Sequence, residues 1–172
     1  DSRDRVLRND KNNMAIKNIS TRTQICGRGA GGRGGHSAVE QSSYICRQQM
    51  YCEYDGQTYY PKYCEDLVYS EVLIPDNAPK EYKDPKVLWN AVEKNEKSSN
   101  AQLARTFRVQ LPNEWSYKIS VDVMRDYVKR NFVDKGMCVQ YAIHDSENKE
   151  GQRNLHCHML ITLRGIDEQG KW

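Results

Sequence analysis

Short apolar segments bounded by polar turns predict five β-strands in this chain. The last two, residues 137–143 and 155–163, are separated by a polar loop that is able to close an antiparallel pair. A tyrosine-rich segment around Asp55-Gly56 carries a hairpin-turn signal. The three earlier strands are predicted at residues 15–19, 67–74 and 103–111.

Three segments with helical periodicity alternate with these strands and predict three α-helices. The first begins at Ser37, with Glu40 at the spacing of a capping box. The second begins at Asp84, with Pro85 at its first position, and its charged end, residues 93–97, is predicted to be a solvated face. The helices are predicted at residues 37–49, 84–97 and 120–133. This mixed order predicts an α+β fold, with a central antiparallel sheet of about five strands and helices packed on it.

The composition fits one soluble domain. At 172 residues the chain is long enough for one core, and no apolar stretch approaches the ~18 residues of a membrane span. The six cysteines include no C-x-x-C pair, so we expect reduced thiols in a cytoplasmic protein. The net charge of +3 does not by itself indicate a polyanion partner, because the distribution of charge matters more than its sum.

The most informative pattern is His156-Cys157-His158, inside the last predicted strand. Because side chains alternate along a strand, His156 and His158 point to the same face. His144 lies at the end of the preceding strand, and antiparallel pairing brings it toward the other two. Three neutral imidazoles with an open position are typical of a catalytic metal site. Imidazole ligands fit Mn²⁺, Zn²⁺, Co²⁺ or Ni²⁺ better than Mg²⁺. The expected cofactor is a divalent ion, Mn²⁺ or Mg²⁺, with Zn²⁺, Co²⁺ or Ni²⁺ as alternatives; the competing interpretation is three satisfied polar histidines.

A metal ion that polarises a phosphoryl oxygen needs a nucleophile, and tyrosine is a candidate besides metal-bound water. No tyrosine follows His158 in the sequence, so the candidate has to come from upstream. Tyr44 is favoured because it lies on the first predicted helix, near Arg47, after a segment rich in glycine and arginine at residues 26–35. The competing interpretation of Tyr44 is a tyrosine packed in the core.

These residues resemble the MobA/MobL (MobQ-type) conjugative relaxases of the HUH endonuclease superfamily. The matching motifs are M-A-I (14–16), the glycine/arginine loop, S-A-V-E-Q-S-S-Y (37–44), L-W-N-A-V-E-K-N-E-K (88–97), N-A-Q-L-A-R (100–105), A-I-H-D (142–145) and N-L-H-C-H-M-L-I-T (154–162). Their order and spacing make the similarity specific. Residues 14–172 are therefore expected to form the relaxase domain, and residues 1–13 a flexible arm or leader. Family members usually continue past this domain, so a longer protein is expected.

The resemblance implies an enzyme that nicks and rejoins one DNA strand at a plasmid origin of transfer and so initiates conjugative mobilisation. Tyr44 would attack the scissile phosphate and remain linked to the 5′ end, while His144, His156 and His158 would hold the metal ion. The covalent link conserves the energy of the broken bond, so the reverse step is able to rejoin the strand. Asp145 is predicted to orient His144 or to act as a base, with a turn residue as the alternative.

The predicted DNA contacts come from arginines around the nucleophile, which are expected to bind phosphates. They are Arg22, Arg28, Arg33 and Arg47. The expected partners are single-stranded and hairpin DNA at the origin of transfer, together with accessory mobilisation and coupling proteins. Relatives often have alternating acidic residues in the strand before the Leu-Pro step, where this chain has Thr106 and Arg108. This departure leaves the proton acceptor for the tyrosine open.

Two other functions are compatible with the sequence alone. A rolling-circle replication initiator of the same superfamily is disfavoured, because no tyrosine follows the histidines. A non-catalytic, metal-stabilised DNA-binding module is the other alternative, in which the missing acidic pair reflects lost chemistry.

Overall fold

The centre of the molecule is a five-stranded antiparallel sheet. The structure, a computed structural model, describes residues 21–29 and 36–172. The strands of the sheet are β1 (Thr21–Gly27), β4 (Leu67–Leu73), β5 (Gln102–Gln110), β6 (Val139–Glu147) and β7 (Arg153–Thr162). Their order is β1-β5-β7-β6-β4, and a separate hairpin is formed by β2 (Met50–Cys52) and β3 (Gln57–Tyr59). The predicted α+β fold with its five-stranded antiparallel sheet is confirmed.

The three predicted helices are present, with shifted ends. They are α1 (Ala38–Cys46), α2 (Pro85–Asn95) and α3 (Tyr117–Asn131); two short 3-10 helices cover Lys80–Lys83 and Val133–Lys135. Ser37 caps α1, as predicted, by accepting hydrogen bonds from the Val39 and Glu40 amides. α3 begins before its predicted start because Ser116 caps it through the Ile119 amide.

The two faces of the sheet pack against different helices. Side chains at alternate positions of the central strands, such as Ala142 and Leu160, belong to a core shared with α1 and with Trp89 of α2. The intervening residues, such as Ile143, belong to a second core that includes Met124 of α3. Because helices cover both faces, β7 is buried over most of its length, which explains its nearly continuous apolar sequence.

The first strand differs from the prediction. Residues 1–13 and the predicted strand at 15–19 lie outside the described residues, and β1 takes in Cys26 and Gly27 from the predicted glycine-rich loop. β1 is an edge strand whose first residues are exposed, so its sequence shows no apolar alternation. A side chain at Gly27 would place its Cβ 2.8 Å from the Ala101 carbonyl oxygen, so only glycine fits this approach of β1 to the start of β5.

The charged end of α2 also differs from the prediction of a solvated face. Glu93 is 1% exposed, and its carboxylate forms an ion pair with Arg28. Ionised carboxylates are buried in proteins when they are paired, and the pairing residue here lies 65 positions earlier in the chain. None of the described helices is both long enough and apolar enough to cross a membrane.

Candidate active site

The pairing of β6 with β7 brings three histidines together on the face covered by α1. His144 lies opposite His156 in the ladder, and His158 lies opposite Ala142 on the same face. The ring centroids are 5.5 Å apart for His144 and His156, 5.1 Å for His144 and His158, and 5.0 Å for His156 and His158. β6 continues through His144 to Glu147, so all three histidines are held by the regular strand ladder.

The environment keeps the three imidazoles uncharged at neutral pH. Burial lowers the pKa of His156 to about 4, and the charge of Arg108 adds to this effect. Burial and the neighbouring histidines lower the pKa of His158 to about 3, and burial also lowers the pKa of His144. His156 Nδ1 lies 2.7 Å from the Asn154 carbonyl oxygen, so Nδ1 carries the proton and Nε2 keeps a lone pair that is able to bind a metal ion.

His144 is held from both sides of its ring. Its Nδ1 lies 3.1 Å from Asp66 Oδ2, and its Nε2 lies 2.8 Å from the Ile45 carbonyl oxygen. Within residues 21–29 and 36–172, no three His, Cys, Asp or Glu side chains have their ligand atoms arranged to hold a metal ion. The donor set suits a divalent transition ion, since all three imidazoles are neutral, but His144 has to turn its Nε2 away from the Ile45 carbonyl oxygen to become the third ligand.

Tyr44 lies on α1, above the histidines. Its ring meets that of His158 edge to face, with centroids 5.8 Å apart and planes at 88°. Arg47 lies just past the end of the helix. Its guanidinium makes a second contact with the Tyr44 ring, 4.6 Å from the ring centre. Tyr44 is 47% exposed and lines a cleft beside His158. The competing interpretation, a tyrosine packed in the core, is therefore wrong.

Asp66, which the sequence did not single out, connects Tyr44's helix with the histidines. Arg47 Nε and Nη2 donate to its two carboxylate oxygens at 3.0 and 2.9 Å, and His144 Nδ1 contacts the same carboxylate. Burial raises the pKa of Asp66, but the hydrogen bonds from Arg47 and His144 outweigh burial and hold the pKa well below its usual range. An ionised carboxylate at this place fixes the orientation of the His144 ring.

Asp145 does not join the histidine cluster. It follows His144 on β6, so its side chain points to the opposite face. Its carboxylate accepts hydrogen bonds from Arg153 Nη2 at 2.9 Å and from the Tyr117 hydroxyl at 2.7 Å. The contact with His144 that was predicted for Asp145 is made by Asp66 instead.

The four predicted DNA-binding arginines occupy different surroundings. Arg22 is exposed on β1 and faces the region beside Tyr44. Arg47 contacts Tyr44, but its guanidinium is paired with the Asp66 carboxylate. Arg28 is buried in the ion pair with Glu93, away from the histidines. Arg33 lies outside the described residues.

A cleft of about 240 Å³ opens beside Tyr44 and His158. Its walls come from β1, α1, β5 and β7. Besides His158, two basic residues, Arg22 and Arg108, line the cleft, and no lining residue carries a carboxylate. The full lining is Arg22, Gln24, Gln41, Tyr44, Ile45, Thr106, Phe107, Arg108, His158, Met159 and Leu160. Arg108, one of the two residues at which the sequence departs from the expected motif, is thus part of the site.

A tyrosine hydroxyl beside a cluster of three neutral histidines on an antiparallel sheet is an arrangement suited to phosphoryl transfer, because it combines a nucleophile with potential ligands for a metal ion. Comparison with known proteins agrees with this class. Residues 36–172 match the MobA/MobL family, and the chain belongs to that family. The family that the sequence motifs predict is thereby confirmed.

Individual relatives support the same assignment. The chain is 36% identical over 140 residues to a probable mobilization protein MobA of Bifidobacterium longum, and 31% identical over 167 residues to a conjugal transfer protein TraA of Agrobacterium fabrum. These matches cover 80% and 91% of this chain, but only 24% and 14% of the two relatives. A structure solved in a study of the molecular basis of vancomycin resistance transfer in Staphylococcus aureus superimposes with a TM-score of 0.77 at 26% identity, covering 89% of this chain and 74% of the other.

Proposed function

We propose that this chain is a relaxase domain, which nicks and rejoins one strand of DNA at a plasmid origin of transfer with Tyr44 as the nucleophile. The observation that carries the proposal is the contact between the exposed Tyr44 ring and His158, one of three clustered neutral histidines. Membership of the MobA/MobL family and the names of the relatives, mobilization and conjugal transfer proteins, support it.

The reaction is a transesterification at one backbone phosphate. Tyr44 Oη forms a bond to phosphorus and the bond between phosphorus and the 3′ oxygen breaks. The tyrosine hydroxyl loses its proton to solvent, and the departing 3′ oxygen takes one up. The 5′ phosphate then remains on Tyr44 while the other fragment ends in a free 3′ hydroxyl. Attack by a 3′ hydroxyl reverses the step, because the phosphodiester energy is kept in the tyrosine ester.

The charged groups around Tyr44 are already paired. The Arg47 guanidinium lies over the Tyr44 ring, 4.6 Å from its centre, and its charge is balanced by the Asp66 carboxylate. Neither nearby aspartate is free to accept the proton, since Asp66 is paired with Arg47 and Asp145 with Arg153. Asp66 acts instead as a positioning residue for His144 and Arg47.

The three histidines are the proposed ligands of a divalent ion, with Mn²⁺ or Mg²⁺ as the first choice and Zn²⁺, Co²⁺ or Ni²⁺ as alternatives. Such an ion supplies a Lewis acid that offsets charge on the scissile phosphate. Asp66 holds the proton on His144 Nδ1, and Nε2 would be the ligand atom after the ring turns it away from the Ile45 carbonyl oxygen. The proposed partners of the whole protein are single-stranded and hairpin DNA and the accessory proteins of mobilisation.

Covalent capture of DNA tests this function. The wild-type protein and Tyr44→Phe are incubated with a single-stranded oligonucleotide that carries the origin of transfer and a 3′ label, with Mn²⁺ or with EDTA, and run on a denaturing protein gel. We expect a labelled protein band for the wild type with Mn²⁺ only, and none for Tyr44→Phe. Tyr60→Phe, a change at an exposed tyrosine outside the site, serves as the control and should behave as wild type.

The outcomes separate the candidate functions. A labelled band that persists in Tyr44→Phe would contradict the assignment of the nucleophile. The assay is repeated with Mg²⁺, Zn²⁺, Co²⁺ and Ni²⁺ in place of Mn²⁺. Binding of the oligonucleotide without a covalent product in all five metal ions would favour the non-catalytic DNA-binding module.

A further inference from the structure

Arg22 and Arg108 lie directly opposite each other on neighbouring strands of the sheet. The ladder between β1 and β5 pairs Arg22 with Arg108, and the ladder between β5 and β7 pairs Arg108 with His158. Residues paired in register share a face of the sheet, so the two arginines continue the row of His158 toward the edge of the sheet. With a spacing of about 4.8 Å between strands, Arg108 and Arg22 begin about 5 and 10 Å from the strand that carries His158.

The two arginines face each other without a neutralising partner. Like charges directly opposite on neighbouring strands destabilise a sheet. Apart from these two and Arg105, the arginines within residues 21–29 and 36–172 all form ion pairs with carboxylates. Arg22 and Arg108 form none with any residue in those ranges, and the cleft that they line contains no carboxylate. Within the described residues no carboxylate neutralises this pair, so both guanidinium groups are able to bind an added anion.

The position of the pair indicates which anion. Both arginines line the same cleft as Tyr44 and His158, and they are displaced from the histidine cluster by one and two strands. A phosphate held between them is therefore a neighbour of the phosphate at Tyr44 on the same strand of DNA. Guanidinium groups bind phosphate oxygens through parallel hydrogen bonds.

We propose that Arg22 and Arg108 form a clamp that binds one backbone phosphate of single-stranded DNA, next to the phosphate that Tyr44 attacks. Only one part of this proposal rests on the proposed function, namely that the neighbouring phosphate is the one that Tyr44 attacks. Arg108 gives β5 a cationic position beside Tyr44 and His158, and its role is substrate binding.

The salt dependence of DNA binding tests the clamp. Affinity for a fluorescein-labelled oligo(dT) strand is measured by anisotropy at several NaCl concentrations, with EDTA present so that no metal ion contributes. Each phosphate contact to a single strand contributes about 0.7 to the slope of log K against log salt. We expect Arg22→Gln and Arg108→Gln each to lower the slope by about 0.7, and the double variant to lower it by about 0.7 in total, because the one phosphate is held only when both guanidinium groups bind it.

Arg105→Gln is the matched control. Arg105 is exposed on β5, and it points to the opposite face from Arg108 because it is an odd number of residues away. Its removal changes the net charge by the same amount and should leave the slope unchanged. A slope for Arg108→Gln equal to that of Arg105→Gln would overturn the clamp, and a loss of about 1.4 in the double variant would show two separate phosphates and overturn the shared site.

Thermal unfolding without DNA excludes a purely structural role. Because the two charges repel each other, Arg108→Gln should leave the melting temperature unchanged or raise it, and a lowered melting temperature together with an unchanged slope would contradict the proposal. The covalent-capture assay separates the failure of the clamp from the failure of the relaxase function. A wild-type slope in Arg108→Gln, together with intact covalent capture by Tyr44, overturns the clamp alone. The expected loss of slope in the arginine variants, without any covalent capture by the wild-type protein, contradicts the relaxase function alone.

Discussion

Glu93 connects α2 with the start of α1, the helix that carries Tyr44, and its removal gives the strongest stability prediction. One carboxylate oxygen accepts hydrogen bonds from the Ser37 hydroxyl at 2.8 Å and from the Ala38 amide at 2.7 Å. The other oxygen pairs with Arg28, and the side chains of Arg28 and Glu93 are 9% and 1% exposed. The carboxylate also lies at the positive end of the α1 dipole.

The loss of stability expected for Glu93→Ala comes from the groups that the substitution leaves without a partner. The substitution leaves the Arg28 guanidinium buried without its counter-charge, and breaking a buried ion pair from one side costs about 3–5 kcal/mol. The unpaired Ala38 amide belongs to the same network, so its loss is part of this figure. For a domain of this size, 1 kcal/mol corresponds to about 2–4 °C in melting temperature, so the melting temperature should fall by about 6–20 °C.

Calorimetry of Glu93→Ala beside Glu96→Ala provides the test. Glu96 lies at the end of the same helix and pairs with Arg164, whose side chain is 63% exposed; such a surface pair contributes about 0–1 kcal/mol. If Glu93→Ala loses no more stability than Glu96→Ala, the buried network does not stabilise the start of α1 and the reasoning is wrong.

Two further predictions concern the histidine cluster. Asp66→Asn should weaken Mn²⁺ binding, measured by calorimetric titration, by about 10–100-fold, because the amide no longer favours the proton on His144 Nδ1; Asp145→Asn should not weaken it. Since the pKa values of His156 and His158 fall to about 4 and 3 on folding, the metal-free protein binds fewer protons than the unfolded chain below the ordinary histidine pKa of about 6.5. Its free energy of unfolding, measured by urea titration, should therefore be full above about pH 6.5 and decline between about pH 6.5 and 3.

Each of these two predictions has a result that would contradict it. Equal Mn²⁺ affinities in Asp66→Asn and the wild type would show that the carboxylate does not orient His144. For the pH dependence, the double variant His156→Gln/His158→Gln should have a flatter profile between about pH 6.5 and 4. If it loses as much stability there as the wild type, the two histidines are not the groups that take up the protons.

The histidine cluster was predictable because it depends on local rules. The two-residue period of a strand places His156 and His158 on one face, and a short polar loop makes the pairing of β6 and β7 the simplest arrangement. That pairing puts His144 opposite His156. Tyr44 was found by elimination and by the family resemblance, and the structure brings its ring to His158.

The residues that the sequence did not reveal depend on long-range pairing. Asp66 reaches His144 because β4 pairs with β6 in the register that sets Leu67 beside His144, and nothing near position 66 indicates that register. Glu93 stands in a charged run that is typical of an exposed helix end, and its burial depends on Arg28, far away in the chain. The partner is visible only after β1 and α2 are packed together.

The central claim is that Tyr44 is the residue that becomes linked to DNA. The most direct measurement is mass spectrometry of the covalent product, after the bound oligonucleotide has been digested by nuclease and the protein by trypsin. We expect one modified peptide, with the added nucleotide mass on Tyr44. Modification of any other tyrosine, with Tyr44 unmodified, would contradict this claim.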